Sequence, residues 1–196
     1  MQRPQVETKA GKRSERHSTA ANFRGRPLSG SLADVADQLT LNIEPVWTQI
    51  DHVRAKVAAF LTQRAFHRDV IDALAMVACE LTENATKYGR FTPAQPRLAI
   101  LVEVSPALIV VEVKNPVDPQ DDVHLGRLDR AVQWIRGYQD PFEVYLARLR
   151  EVSAQSLYSS ESGLGLVRIA YEGQAILDFY VNAESILAVS ATYRRY

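Results

Sequence analysis

The residues best equipped for chemistry stand in the stretch 78–89, A-C-E-L-T-E-N-A-T-K-Y-G, which closes a long apolar run with Glu80, Glu83, Asn84 and Lys87. The apolar spacing before them is helical, and residues four apart on a helix share a face. Glu80 and Asn84 therefore present a carboxylate and a carboxamide to one point in space. Such a pair suits magnesium, which takes oxygen ligands, keeps several waters and binds through one or two protein oxygens together with substrate phosphates. Asn84 is the candidate ligand, with Glu80 beside it to orient or deprotonate a nucleophile. The competing reading is an amphipathic helix whose last turns simply reach solvent.

Two further stretches carry chemistry. Residues 162–170 read S-G-L-G-L-V-R-I-A, with Gly163, Leu164 and Gly165 ahead of an apolar helical pattern. Glycines in that place let backbone amides approach phosphates at a helix N-terminus, although a tight turn alone would account for them. A β-rich run ends in V-E-V-K-N-P-V-D-P. Asn115 in it is either an ordinary turn former before proline or a polar group at a strand end, a common place for a site.

The E-x-x-x-N spacing of Glu80 and Asn84, followed about eighty residues later by the glycine turn, resembles the ATP-binding domain of the GHKL superfamily (gyrase, histidine kinase, MutL). The anti-sigma-factor serine/threonine kinase branch is the most similar, over roughly residues 37–193. The resemblance implies a histidine kinase-like ATPase fold, with ATP and magnesium as cofactors. It makes Glu80 the general base and Asn84 the magnesium ligand. It also gives Gly163, Leu164 and Gly165 to the nucleotide phosphates, and the charge of Lys87 is a candidate to neutralise them beside that turn. Asn115 takes the place of the aspartate that recognises adenine, and the sequence departs from the family there. No glycine follows Asn115, and Pro116 and Pro119 stiffen the backbone instead. The implied activity is transfer of the γ-phosphoryl group to a serine or threonine of a STAS-like regulatory partner, in the cytoplasm; the resemblance also admits a homodimer. The alternative is a non-catalytic interaction module that keeps the fold and binds nucleotide weakly or not at all.

These residues must be positioned by the elements around them. Alternation at Leu39, Leu41 and Ile43 predicts a strand over 37–43. Pro45 then opens a helix to about Gln63, with Val46, Ile50, Val53, Val57 and Phe60 on one stripe. The next helix, 70–88, is apolar nearly all round and hence central. Runs 97–105 and 108–114 make a hairpin of antiparallel strands. The insertion 119–161 reads as a helical hairpin, either an elaborated lid or docking surface or a cover for the sheet edge. Leu125, Leu128, Val132 and Ile135 form one stripe ended by Gly137, and Asp140, Pro141 and Glu143 start a second helix. Residues 153–162 read as a polar hinge. A helix to about Glu172 and two strands, 175–181 and 185–193, complete an α/β two-layer sandwich, one mixed sheet with helices on one face.

The 196 residues, 46% hydrophobic and 23% charged, suit one domain with appendages. The single Cys79 lies in the apolar helix, which excludes a disulfide scaffold and a cysteine metal cluster and fits a reducing compartment. No apolar run approaches membrane-spanning length, so no membrane association is expected. Residues 1–31 hold seven Lys/Arg against Glu7 and Glu15 and almost no large apolar residue, the composition of a basic disordered tail. The remainder, 32–196, has 16 basic and 21 acidic side chains, which argues against nucleic acid as its partner. The four histidines, His17, His52, His67 and His124, carry no recognisable site.

Overall fold

The computed structural model describes residues 37–118, 120, 122–154 and 163–195. The basic tail at 1–31 and residues 155–162 of the expected hinge lie outside them. Strand β1 (Asp37–Ile43) leads through a short 3-10 turn (Trp47–Gln49) into α1 (Ile50–Thr62) and α2 (Arg68–Tyr88). The hairpin β2 (Leu98–Val104) and β3 (Leu108–Pro116) follows, then α3 (Asp122–Arg136), α4 (Pro141–Ala154), α5 (Leu164–Tyr171), β4 (Ala175–Val181) and β5 (Ile186–Arg194). All five strands form one sheet in the order β1-β2-β3-β5-β4.

Every neighbouring pair in that sheet is antiparallel, so the expected mixed sheet is corrected to an antiparallel one. The reason lies in the return of the chain after the helices. Strand β4 runs in the same direction as β3, but β5 inserts between them and pairs with both. One β-turn joins β4 to β5: Asn182 Oδ1 accepts from Glu184 N and Ile186 N at 3.1 and 2.8 Å. The β2–β3 turn is held similarly, with Ser105 N donating to Leu108 O and Leu108 N to Ser105 Oγ.

One face of the sheet carries the helices. Leu98, Ile100, Val102 and Val104 of β2 alternate with half-buried neighbours, the period of a strand with one covered side. They meet Leu74, Val77 and Leu81 of α2, together with Val53 and Val57 of α1 and Val167 and Ile169 of α5, in one core. The other face keeps Glu103, Glu112 and Lys114 among its residues, and Lys114 pairs with Glu112 at 2.8 Å. Helix α2 starts at His67, whose Nδ1 accepts from Asp69 N at 3.3 Å, and it stops at Gly89. A Cβ at Gly89 would lie 2.6 Å from the Ala85 carbonyl oxygen and would strike the Phe91 ring, so only glycine fits that exit.

The insertion forms the expected pair of helices, with Asp140 Oδ1 accepting from Phe142 N at 2.9 Å at the start of α4. Both helices pack against α5, and Val132, Ile135 and Val144 are buried. Ser153 and Ala154, expected in the hinge, complete α4. At the end of α3, Arg136 donates twice to the Leu177 carbonyl of the edge strand β4 and pairs with Asp178 at 3.0 Å. The hairpin thus belongs to the helical layer and also covers the sheet's open edge, where unpaired backbone would otherwise be exposed.

Candidate functional site

Helix α2 and the first turn of α5 meet although they are far apart in sequence. A Cβ placed on Gly165 would lie 2.5 Å from Glu80 Oε2 and 3.9 Å from Asn84 Nδ2. The missing side chain is what lets the two boxes pack face to face. Gly163, at the N-cap of α5, has a left-handed backbone with φ of 59°, which glycine adopts without strain. Its open side is taken by the Arg148 guanidinium of α4, whose Cζ lies 3.0 Å from where a Cβ would stand.

A cavity of about 340 Å³ opens at this junction, within the range of small-ligand sites. Asn84, Asn115, Gly163 and Gly165 all line it, as do Arg127 and Arg148 of the helical hairpin. Its floor is apolar, made by Val113 of β3 with Leu187 and Val189 of β5. Four of the residues singled out in the sequence therefore share one concavity. Lys87 and Leu164 are not among the residues lining it. The Lys87 ammonium sits 5.0 Å from the centre of the Tyr88 ring, and Leu164 is the first residue of α5.

Asn115 differs from the sequence expectation in its setting. It was expected to emerge beyond the strand, but β5 is long enough to keep pairing, and β3 continues through Pro116. Asn115 is 3% exposed and paired with Leu187. Its Nδ2 donates to Pro116 O at 3.1 Å, which leaves the second Nδ2 hydrogen and the Oδ1 acceptor as the amide's remaining capacity. The Pro116 carbonyl also takes the backbone N–H of Arg90 at 2.8 Å, tying the end of β3 to the segment after α2.

Glu80 lies beside Gly165 and is engaged from α5. It is not among the residues lining the cavity, and Arg168 of α5 donates to its Oε1. Arg168 also grips Glu172 one turn on, at 2.9 and 3.1 Å. Burial pushes the Glu80 carboxyl above its ordinary pKa, and the Arg168 charge works against that rise. Sequence reasoning missed both Arg168 and the cavity arginines Arg90, Arg127 and Arg148. The i, i+4 spacing of Arg168 and Glu172 was legible, but the contact with Glu80 spans 88 residues and depends on how α5 packs on α2.

Magnesium was expected on Asn84. The arrangement fits such an ion held mainly by phosphate: Asn84 lines the cavity beside the glycine turn and would supply one neutral oxygen. Among the described residues no cluster of three or more His, Cys, Asp or Glu side chains is placed to hold a metal. No helix among them is long and apolar enough to cross a membrane.

No family model matches the chain, and no curated protein matches it. Among solved structures it is similar to a chain of the SiaB-SiaC complex from Pseudomonas aeruginosa, with a TM-score of 0.62 and 17% sequence identity. The match covers 79% of this chain and 88% of that one. At that identity the likeness establishes a common fold, the two-layer α/β sandwich.

Proposed function

We propose that the protein is an ATP-binding regulator of the anti-sigma-factor serine/threonine kinase type, acting on a STAS-like protein partner. The observation that carries this reading is the convergence of Asn84, Asn115, Gly163 and Gly165 on one cavity, from three segments that only the fold brings together. An apolar floor under a rim of amides, glycines and arginines suits a planar base joined to phosphates. Phosphoryl transfer asks mainly for positioning and charge neutralisation, which Asn84 through magnesium and the glycine-turn amides supply. The neighbour of shared fold is a chain of a two-protein complex, which supports a protein partner.

A second reading, a non-catalytic interaction module, is favoured by one specific observation: Arg168 engages the carboxylate that would act as base. The two readings separate on Glu80→Gln and Asn84→Ala. In the kinase, Glu80→Gln lowers transfer to a STAS-like partner by about 10² to 10⁴ with ATP binding retained, and Asn84→Ala abolishes magnesium-dependent binding in calorimetry. The module shows no transfer in any of the three proteins, and its partner affinity is the same in all. Full transfer by the Glu80→Gln protein would refute the role of Glu80 as base.

A further inference from the structure

The cavity's cations come largely from the inserted hairpin, and one of them is seated on the glycine turn. Arg148 lines the cavity with Asn84, Gly163 and Gly165. Its guanidinium occupies the space that a side chain at Gly163 would fill, with Nε 3.1 Å and Cζ 3.0 Å from the Cβ position. The left-handed backbone of Gly163 and its missing side chain together make that seat. A guanidinium is permanently charged and offers a rigid fork of donors that matches phosphate oxygens two at a time. On the other side Arg148 NH1 meets Glu151 Oε2 at 2.8 Å, and the Glu151 side chain is 51% exposed. That carboxylate can return to water at little cost.

We propose that Arg148 is the phosphate-binding cation of this cavity, contributed by α4 of the hairpin, and that Glu151 is the carboxylate an incoming phosphate displaces from it. The inference rests on the nucleotide reading above for the identity of the ligand, but the phosphate site itself can be probed without a base. Because a phosphate and Glu151 compete for the same guanidinium, changes at the two residues act with opposite sign. A residue that only braces α4 against the turn would not behave so.

Calorimetry of the wild type, Arg148→Ala, Arg148→Lys and Glu151→Gln with magnesium-ATP, adenosine and inorganic tripolyphosphate tests this. Arg148→Ala is expected to weaken ATP and tripolyphosphate about 10- to 100-fold, the worth of hydrogen bonds to a charged group, and to change adenosine less than about twofold. Arg148→Lys, which keeps the charge and loses the fork, falls between. Glu151→Gln is expected to tighten both phosphate ligands by about two- to fivefold, the scale of an exposed ion pair. If thermal melts show Arg148→Ala to be poorly folded, the lysine and Glu151 variants decide the matter. Wild-type affinity for ATP in both Arg148 variants overturns the proposal, as does an equal loss for adenosine. Tripolyphosphate binding that depends on Arg148, with no binding of ATP over it, would leave the site standing and remove the nucleotide reading. A wild type that binds neither ligand overturns both.

Discussion

Glu80 shows how one side chain's role turns on its neighbours. It sits four residues before Asn84 and both side chains lie beside Gly165, yet Asn84 lines the cavity while Arg168 takes the Glu80 carboxylate. Burial is the largest influence on the Glu80 carboxyl and raises its pKa above the ordinary 4.5, while Arg168 opposes the rise. An acid whose folded pKa is raised favours folding fully below 4.5, and that contribution is lost as pH rises through the folded value. Arg168→Ala removes the opposing charge, so the folded pKa climbs further and the loss at neutral pH deepens. The expected deficit is about 1 to 2 kcal/mol at pH 7, discounted for the partial exposure of the pair. It shrinks toward about pH 4 as Glu80 takes up its proton in both proteins. Urea unfolding at the two pH values measures it; a deficit of the same size at both would mean that Arg168 stabilises only through packing or through Glu172.

The inserted hairpin is the element whose purpose the local pattern left open between a lid and an edge cover. In the structure α3 lends Arg127 to the cavity wall, and its Arg136 bonds the backbone of the edge strand β4. That edge bond is testable by itself. Arg136→Ala removes two hydrogen bonds to the Leu177 carbonyl and the Asp178 pair, so stability is expected to fall by about 1 to 2 kcal/mol. An edge strand stripped of its cover also invites pairing with another chain. Chemical denaturation gives the first quantity and concentration-dependent light scattering the second; unchanged stability would show that Val132 and Ile135 hold the hairpin without Arg136.

At the scale of the molecule, the cavity is built from α2, the end of β3, β5, the hairpin and the start of α5, so a ligand there bridges elements that separate on unfolding. Binding to the folded state alone adds stability in proportion to the logarithm of ligand concentration, about 2.7 kcal/mol at one hundred times the dissociation constant. For a domain of this size that corresponds to a rise of about 5 to 10 °C in melting temperature. Magnesium-ATP is expected to produce it in the wild type and not in Asn84→Ala. A flat melting temperature across the titration would argue for the interaction module.

The sequence by itself determined the elements, because their signals are local. Alternation in β2 and β3, the helical stripes of α1 and α3, the Asp140 cap and the glycine ahead of α5 are each decided by residues a few positions apart, although Val46, expected on the α1 stripe, is exposed ahead of the 3-10 turn and α1 begins only at Ile50. It also marked Asn84, Asn115, Gly163 and Gly165, through the E-x-x-x-N spacing, the glycine turn and the resemblance that these carry. Only the tertiary structure decided the rest. Strand direction depended on β5 returning between β3 and β4, which no local pattern encodes. The same return extended β3 and buried Asn115 within it. Arginines on helix surfaces look alike in sequence, because their long stems and charged heads suit any solvated face. What set Arg148 on Gly163 and Arg168 on Glu80 was the packing of α4 and α5 against one another and against α2, contacts between residues distant in the chain that exist only once the core has formed.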